Sequence, residues 1–398
     1  MSRKRLSVVL LFLVAPAVLA GSLGDALTGG KAAGDLRYRF EWVDQSLADN
    51  AEAHTVRLRL GYRTGLYHGF SAFGEFEGLR ALGSESYNST ANGKMQFPVV
   101  PDPEDEEVNQ LYLDYTGIDH LTVRLGRQRI IQDNARFIGN VGWRQNEQTY
   151  DAASVTYDPG ERWDVSVTHI NNVNRIFGEH HPVPARADTN LNGQLVRGSF
   201  TCKAGQAVGY VHLLEFEDAP AVSHRNVGLR FTGDTKLSDD FKLLYGAELA
   251  DQADHADAPS TVDADYLWLE LGLTAGKVTV KLGQEQLSGD GVYAFQTPLA
   301  TLHRFNGWTD QFVPGTPAAG LDDLYLEVSG KVGGVALGAV WHDFSADTGG
   351  ADYGTEWGVR AAKTFRKRYS LGLKYGSYDA DTFSVDTDKL WIEGGLKF

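Results

Sequence analysis

The chain has 398 residues, a formal net charge of −15 and one cysteine, Cys202. That charge argues against a nucleic-acid partner, and a lone cysteine excludes any disulfide within the chain. Glycine is plentiful at 45 residues, beside 19 Phe, 17 Tyr and 8 Trp, while Pro and Met are few; the balance suits many strands joined by turns.

In chain order, Arg3, Lys4 and Arg5 precede the apolar run Leu6 to Val18, with a small-residue cleavage site at Val18-Leu19-Ala20. This is the anatomy of a secretory signal peptide over 1–20. The alternative, a short membrane anchor, is disfavoured because the run is too short to span a bilayer and no stop-transfer flank follows. Losing those three cations takes the net charge from −15 to −18 for the remaining domain, 21–398. No later stretch is long and apolar enough for a transmembrane helix.

From residue 36 onward the pattern alternates. Leu36, Tyr38, Phe40 and Trp42 are interleaved with Arg37, Arg39 and Glu41, then Val56, Leu58, Leu60 and Tyr62 with Arg57, Arg59 and Arg63. Period two puts one set on each face of a strand. Similar segments are expected near 70–79, 108–116, 120–129, 149–157, 163–171, 194–201, 207–215 and 225–233. Others follow near 240–250, 265–274, 277–287, 322–329, 335–344, 355–363, 367–376 and 389–398. The expectation is all-β, a transmembrane antiparallel β-barrel of about 18 strands (16–18), each about 9–11 residues long, the length that crosses a bilayer when tilted. Every second connection is tight, such as Gly117–Asp119 and Ala275–Gly276, whereas 80–107, 130–148, 172–193, 251–264 and 288–321 are longer. Short turns on one side and long loops on the other are the mark of an outer-membrane barrel, and an even count leaves both ends on the short-turn, periplasmic side. Trp42, Trp163, Trp341 and Trp357 near strand ends suit interfacial girdles, although ordinary surface aromatics would look the same one at a time.

A barrel in lipid must turn its charged set inward, since an Arg or Lys at the bilayer midplane costs about 2–4 kcal/mol. Arg37, Arg39, Arg57, Arg59, Arg63 and Arg124 are therefore expected to line the lumen, with Glu75 and Glu77 beside them. Two readings stay open: a positive wall that attracts anions, or interlocked ion pairs that fill and stiffen the barrel. Arg127 and Arg129 share parity with the outward Leu121, Val123 and Leu125; either the strand has already risen above the apolar band there, or a bulge at Gly126 turns both inward, and the inward turn is the expectation preferred. At the C-terminus, Leu390, Ile392, Gly394, Leu396 and Phe398 share one face. A terminal aromatic on an alternating strand resembles the signal that the barrel assembly machinery reads.

Two long stretches resemble the alginate-export family of outer-membrane barrels. The first is Leu125-Gly-Arg-Gln-Arg-Ile130 with Asp133-Asn-Ala-Arg-Phe-Ile-Gly-Asn-Val-Gly-Trp-Arg-Gln-Asn-Glu-Gln-Thr-Tyr-Asp-Ala152. The second is Phe295-Gln-Thr-Pro-Leu-Ala-Thr-Leu-His-Arg-Phe-Asn-Gly-Trp-Thr-Asp310, followed by Gly320-Leu-Asp-Asp-Leu-Tyr325. The resemblance implies an eighteen-stranded barrel, a passive conduit for an anionic polyuronate, and pore roles for Arg127, Arg129, Arg136 and Arg144. It extends over most of the chain, which is shorter than the alginate exporter proper. Expected partners are outer-membrane lipid and lipopolysaccharide and, as permeant, an acidic saccharide or small carboxylate. A general, non-selective porin is the rival reading. An outer-membrane hydrolase would need a Ser, His and carboxylate in register, and no strand groups them. No cofactor or metal is expected: His180 and His181 beside Glu179, and His255 among aspartates, read as solvated loop residues. The acidic loop 101–107 reads either as a solvated loop or as a divalent-cation contact near lipopolysaccharide.

Overall fold

The computed structural model describes residues 21–398 apart from Glu161, so the signal reading over 1–20 lies outside the described residues. A one-and-a-half-turn helix, α1 (Leu23–Thr28), opens the fold; the Ser22 hydroxyl accepts from the Asp25 amide and Asp25 answers in kind, a capping box. Six strands follow: β1 (Lys31–Gln45), β2 (Ala51–Arg63), β3 (Phe70–Ala81), β4 (Asp105–Ile118), β5 (Leu121–Gln128) and β6 (Thr149–Tyr157). The next six are β7 (Trp163–Asn174), β8 (Asp188–Cys202), β9 (Gly205–Phe216), β10 (His224–Lys236), β11 (Phe241–Asp254) and β12 (Asp263–Ala275). The last six are β13 (Val278–Leu287), β14 (Leu321–Val332), β15 (Val335–Ser345), β16 (Asp352–Phe365), β17 (Tyr369–Ala380) and β18 (Thr387–Lys397). All eighteen expected strands are there, several running further toward the long-loop side than the alternation alone marked.

Each strand pairs antiparallel with its neighbours, and β1 bonds both β2 and β18, so the sheet closes. Closure is what lipid demands, because hydrocarbon offers no partner to an open strand edge. The two faces sort by chemistry. Leu249, Leu269, Leu271 and Leu282 stand outward, 47–62% exposed, while Glu248 and Trp268, one residue along, are buried. The fold, with its outer apolar band, is that of a bacterial outer-membrane barrel.

What the alternation did not reveal is where the hydrophobic core lies. Two long-loop segments, 129–148 after β5 and 288–320 after β13, turn into the lumen. The Phe137 ring sits 5.5 Å from Tyr210, 5.2 Å from Tyr266 and 5.7 Å from Phe295, so the core forms where these loops meet the inner wall. The loops are also tied to each other. The Gly139 amide donates to Leu299 O at 2.9 Å, the Thr301 amide to Ala135 O at 3.0 Å, and the Val141 amide to the Thr301 hydroxyl at 3.1 Å. Together they make one diaphragm across the barrel.

The bulge near Gly126 is a correction. Pairing of β5 with β6 runs unbroken through Gly126, and Arg127 stays in register with outward Leu111. The irregularity falls on β4, where Glu75 of β3 faces Gln110 and Phe76 faces Val108, leaving Asn109 as the extra residue. Both Asn109 and Gln110 are buried there, which shifts the inward set of β4 from 105 and 107 to 110, 112 and 114. Gly126 does carry a φ of +124°, and a Cβ at that position would strike Leu111 O, so glycine is needed although no bulge follows.

Candidate permeation pathway

The register of the first hairpin stacks the arginines: Arg37 lies opposite Arg57, and Arg59 opposite Asp35 on β1 and Glu77 on β3. Four guanidiniums in one patch of wall would repel strongly if left bare. They are not bare. The segment 142–147 lies across them, so that Arg37 Nε donates to Gln145 Oε1 at 2.8 Å and its other nitrogens to Gly142 O and Arg144 O. Arg39 donates to Trp143 O and, at 2.7 Å, to Glu393 of β18. Arg57 pairs with Asp35, and Arg59 with Glu77 and, at 3.3 Å, with Glu147.

The remaining predicted residues follow the same pattern. Arg63 and Arg124 share Asp114, at 2.9 and 2.7 Å. Arg129 turns inward as expected, to Glu75 at 2.6 Å and Glu147 at 2.5 Å. Arg127 does not. It keeps the outward parity and pairs with Asp151 at 2.9 Å near the long-loop rim, where charge can leave the apolar band. Arg136, fully buried, holds Glu285 at 2.6 Å, Thr297 Oγ1 at 3.1 Å and Asn306 Oδ1 at 3.1 Å. Arg144 holds Glu41 at 2.7 Å, Asp102 at 3.4 Å and Asp310 at 3.9 Å.

These loop charges depend on one another. Burial would lower the Arg144 guanidinium, but Glu41, Asp102 and Asp310 outweigh it and raise it above its ordinary value. Burial likewise works against the Glu147 carboxylate, and Arg59 and Arg129 reverse that, holding it below the usual carboxylate range. The acidic loop 101–107 belongs here as well. Asp102 is buried against Arg144 and the Gln145 amide, and Asp105 accepts from His180 Nδ1 at 2.6 Å, so neither the solvated-loop nor the cation reading describes them. Among the described residues no three His, Cys, Asp or Glu side chains gather as a metal site.

Across the lumen the wall is open. A polar cavity of ≈600 Å³ lies against β10 to β16, between Arg230, Lys281, Glu270, Tyr325 and the loop residues Arg304 and Trp308. A second, of ≈620 Å³, lies against β5 to β9, beside Arg124, Arg129 and Arg197. On the long-loop side of the diaphragm is a third space of ≈630 Å³, bordered by Trp143, Arg144, His303, Asp310 and Lys389. The segment 302–310 divides it from the first cavity. At that partition His303 stacks on Trp143 at 3.4 Å between ring centroids, and its Nδ1 donates to Asp310 at 2.8 Å. Its Nε2 meets Lys374 of β17, whose ammonium lies 5.0 Å from Trp143, 5.6 Å from Trp308 and 4.2 Å from Trp391. Burial pulls the His303 imidazole down to about 3, so it stays neutral at physiological pH despite Asp310.

Sequence reasoning singled out Arg127, Arg129, Arg136 and Arg144 in the first long motif but passed over Trp143 and Glu147 there, and His303, Arg304 and Trp308 in the second. Their signal was available, because every one lies in a stretch quoted for the family resemblance. Glu41 and Lys374, by contrast, look like any inward charge on any strand.

Comparison with known proteins agrees with this architecture. A family model described as alginate export matches residues 31–177. The fold is that of the outer-membrane porins. OpdK of Pseudomonas aeruginosa, solved with vanillate, covers 92% of this chain and 98% of its own at 14% identity, with a TM-score of 0.70. OccAB2 of Acinetobacter baumannii covers 94% and 100% at 14% identity, with a TM-score of 0.73. OccD3 (OpdP) of Pseudomonas aeruginosa covers 95% and 93% at 15% identity, with a TM-score of 0.69. No curated protein matches. The family match takes in the first of the two resembling stretches, ending before the second at 295–310, so it is shorter than the resemblance read from the sequence. The shared feature is the fold, an eighteen-stranded porin-type outer-membrane barrel.

Proposed function

We propose that the barrel is a passive channel preferring anionic solutes, either acidic oligosaccharides such as a polyuronate or small carboxylates. One observation carries the reading. Arg304, at the tip of the in-folded loop, exposes its guanidinium to the ≈600 Å³ cavity. Among the described residues it has no carboxylate within ion-pair distance. The acids lining that space are answered already: Glu285 by Arg136, Glu270 by Lys281, Glu327 by Arg360 and Asp323 by His342. The open volume therefore presents an unspent cation, and Arg grips carboxylates well. The alginate-export match over 31–177 and the neighbour solved with vanillate, an aromatic carboxylate, point the same way.

In this reading Arg37, Arg39, Arg57, Arg59, Glu75, Glu77, Arg136 and Arg144 seat the diaphragm, while Arg124 and Arg129 also border the second cavity. Phe398 serves as the aromatic end that the barrel assembly machinery reads, and lipopolysaccharide meets the outward rim near Arg127. The non-selective porin reading draws support from the neutralised wall of β1 and β2. Planar-bilayer recording in a salt gradient separates the two. The proposal expects a reversal potential on the anion side that moves toward zero in Arg304→Gln, and a wild-type potential showing no anion preference would favour the general porin.

A further inference from the structure

The outer face carries a feature that permeation does not use. On the lipid-facing wall, β13 to β18 enclose an apolar trough of ≈670 Å³. It exists because Ala339 and Ala361 are small where their neighbours Val328, Leu337, Val359 and Leu373 stand out from the wall, each 39–50% exposed. The trough runs down to the short-turn rim, where it is bordered by Lys277 and Lys331.

Those two lysines open a longer arc. The three successive turns joining β12 to β13, β14 to β15 and β16 to β17, together with the strand ends that flank them, carry Lys277, Lys331, Lys363, Arg366, Lys367 and Arg368, with no acidic residue among them. Among the described residues none of the six takes part in an ion pair. The turns touch: a Cβ on Gly330 would lie 2.9 Å from Lys277 O, and one on Gly334 3.8 Å from Lys363 Cε. One turn along, the same rim is balanced. The turn joining β10 to β11 sets Lys236 against Asp239 at 2.7 Å and Lys242 near Asp234 at 3.6 Å. Six unpaired cations on one arc of a chain with net charge −15 is a strong local asymmetry.

We propose that the trough and the basic arc together bind an anionic phospholipid of the inner leaflet, an acyl chain lying along Ala339 and Ala361 and the phosphate at Lys277 and Lys331. A soluble anionic polymer would account for the cations but would leave the trough unexplained, whereas a lipid fills both. Basic clusters at a membrane surface gain affinity for anionic lipid with each added cation, and the gain fades as salt rises.

The full barrel can be reconstituted in phosphatidylcholine vesicles and titrated with brominated-chain phosphatidylglycerol or brominated-chain phosphatidylcholine. Quenching is read from outward Trp341 and Trp357, two residues from trough-lining Ala339 and Val359. The anionic lipid should quench at a mole fraction at least about fivefold lower than the zwitterionic one, and less so in high salt. Lys277→Gln with Lys331→Gln should abolish that preference. Filling the trough with Ala339→Leu and Ala361→Leu should weaken quenching by both lipids, and Lys236→Gln on the balanced turn should change nothing. Equal quenching by the two lipids in the unaltered protein would overturn the proposal. So would a preference that survives the filled trough yet is competed away by dextran sulfate, which would assign the arc to a soluble polyanion.

Discussion

The two halves of the inner wall obey the same alternation and end in opposite states. On β1 and β2, Arg37, Arg39, Arg57 and Arg59 lie under residues 142–147, each guanidinium committed to a carboxylate or a loop residue. Across the lumen, on β10 to β16, the wall stays open to a ≈600 Å³ cavity, and the cation there that has no ion pair among the described residues, Arg304, comes from a loop. Strand parity thus decides which charges face inward, but loop seating decides which of them a solute can reach. A row of inward arginines is no guide to selectivity until the loop above it is known.

The largest effect is expected where the covered half is held shut. Arg144→Ala would leave Glu41 buried without its cation and Asp102 with Arg39 alone, at 3.5 Å, a change that costs about 3–5 kcal/mol. The barrel's own hydrogen-bond ladder is untouched, so the loss should appear as an unseated loop. Single-channel conductance should rise and become noisy while the heat-modifiable gel shift of the folded barrel persists. A quiet, unchanged conductance would mean that residues 142–147 are held by something other than these charges.

A smaller contrast concerns selectivity. Arg304→Gln should shift the reversal potential, whereas Arg57→Gln, behind the loop and engaged by Asp35, should leave it nearly where it was. Equal shifts would erase the distinction between the walls.

The smallest effect is a dependence on acid. The His303 imidazole is held down to about 3, below a free histidine at about 6.5, so a released loop takes up that proton first as pH falls through this window. Asp310 and Glu147 are held below the ordinary carboxylate range by their cationic neighbours despite burial, and the stability they add at neutral pH is lost as protons neutralise them. All three act in one direction. Open-channel noise should grow from pH 7 to pH 4 and should be flat from pH 7 to pH 8.

The strands were legible because lipid imposes a strict rule: period two with apolar residues outward admits few exceptions, and runs such as Leu267 to Leu273 report it plainly. The lumen obeys no such rule. Residues 130–148 read as a loop because their pattern has no period, and nothing local says that Trp143 will lie on His303 or that Glu147 will reach Arg59. Those contacts join positions far apart in sequence, and only closure of the sheet brings them together. The Gly126 expectation went astray for a related reason. A glycine at positive φ and a bulge look alike in sequence, and here the bulge sits on the partner strand at Asn109, which carries no conspicuous signal.

Accessibility to an anionic thiol reagent compares the two walls most directly. In a Cys202→Ser background, Thr55→Cys places a thiol behind Gln145 on the covered wall, and Thr232→Cys places one on the open cavity. A negatively charged methanethiosulfonate should react quickly at position 232 with a fall in conductance, and slowly or not at all at position 55. Comparable rates at both positions would show that the loop does not seal the arginine wall, and the division of labour described here would fall.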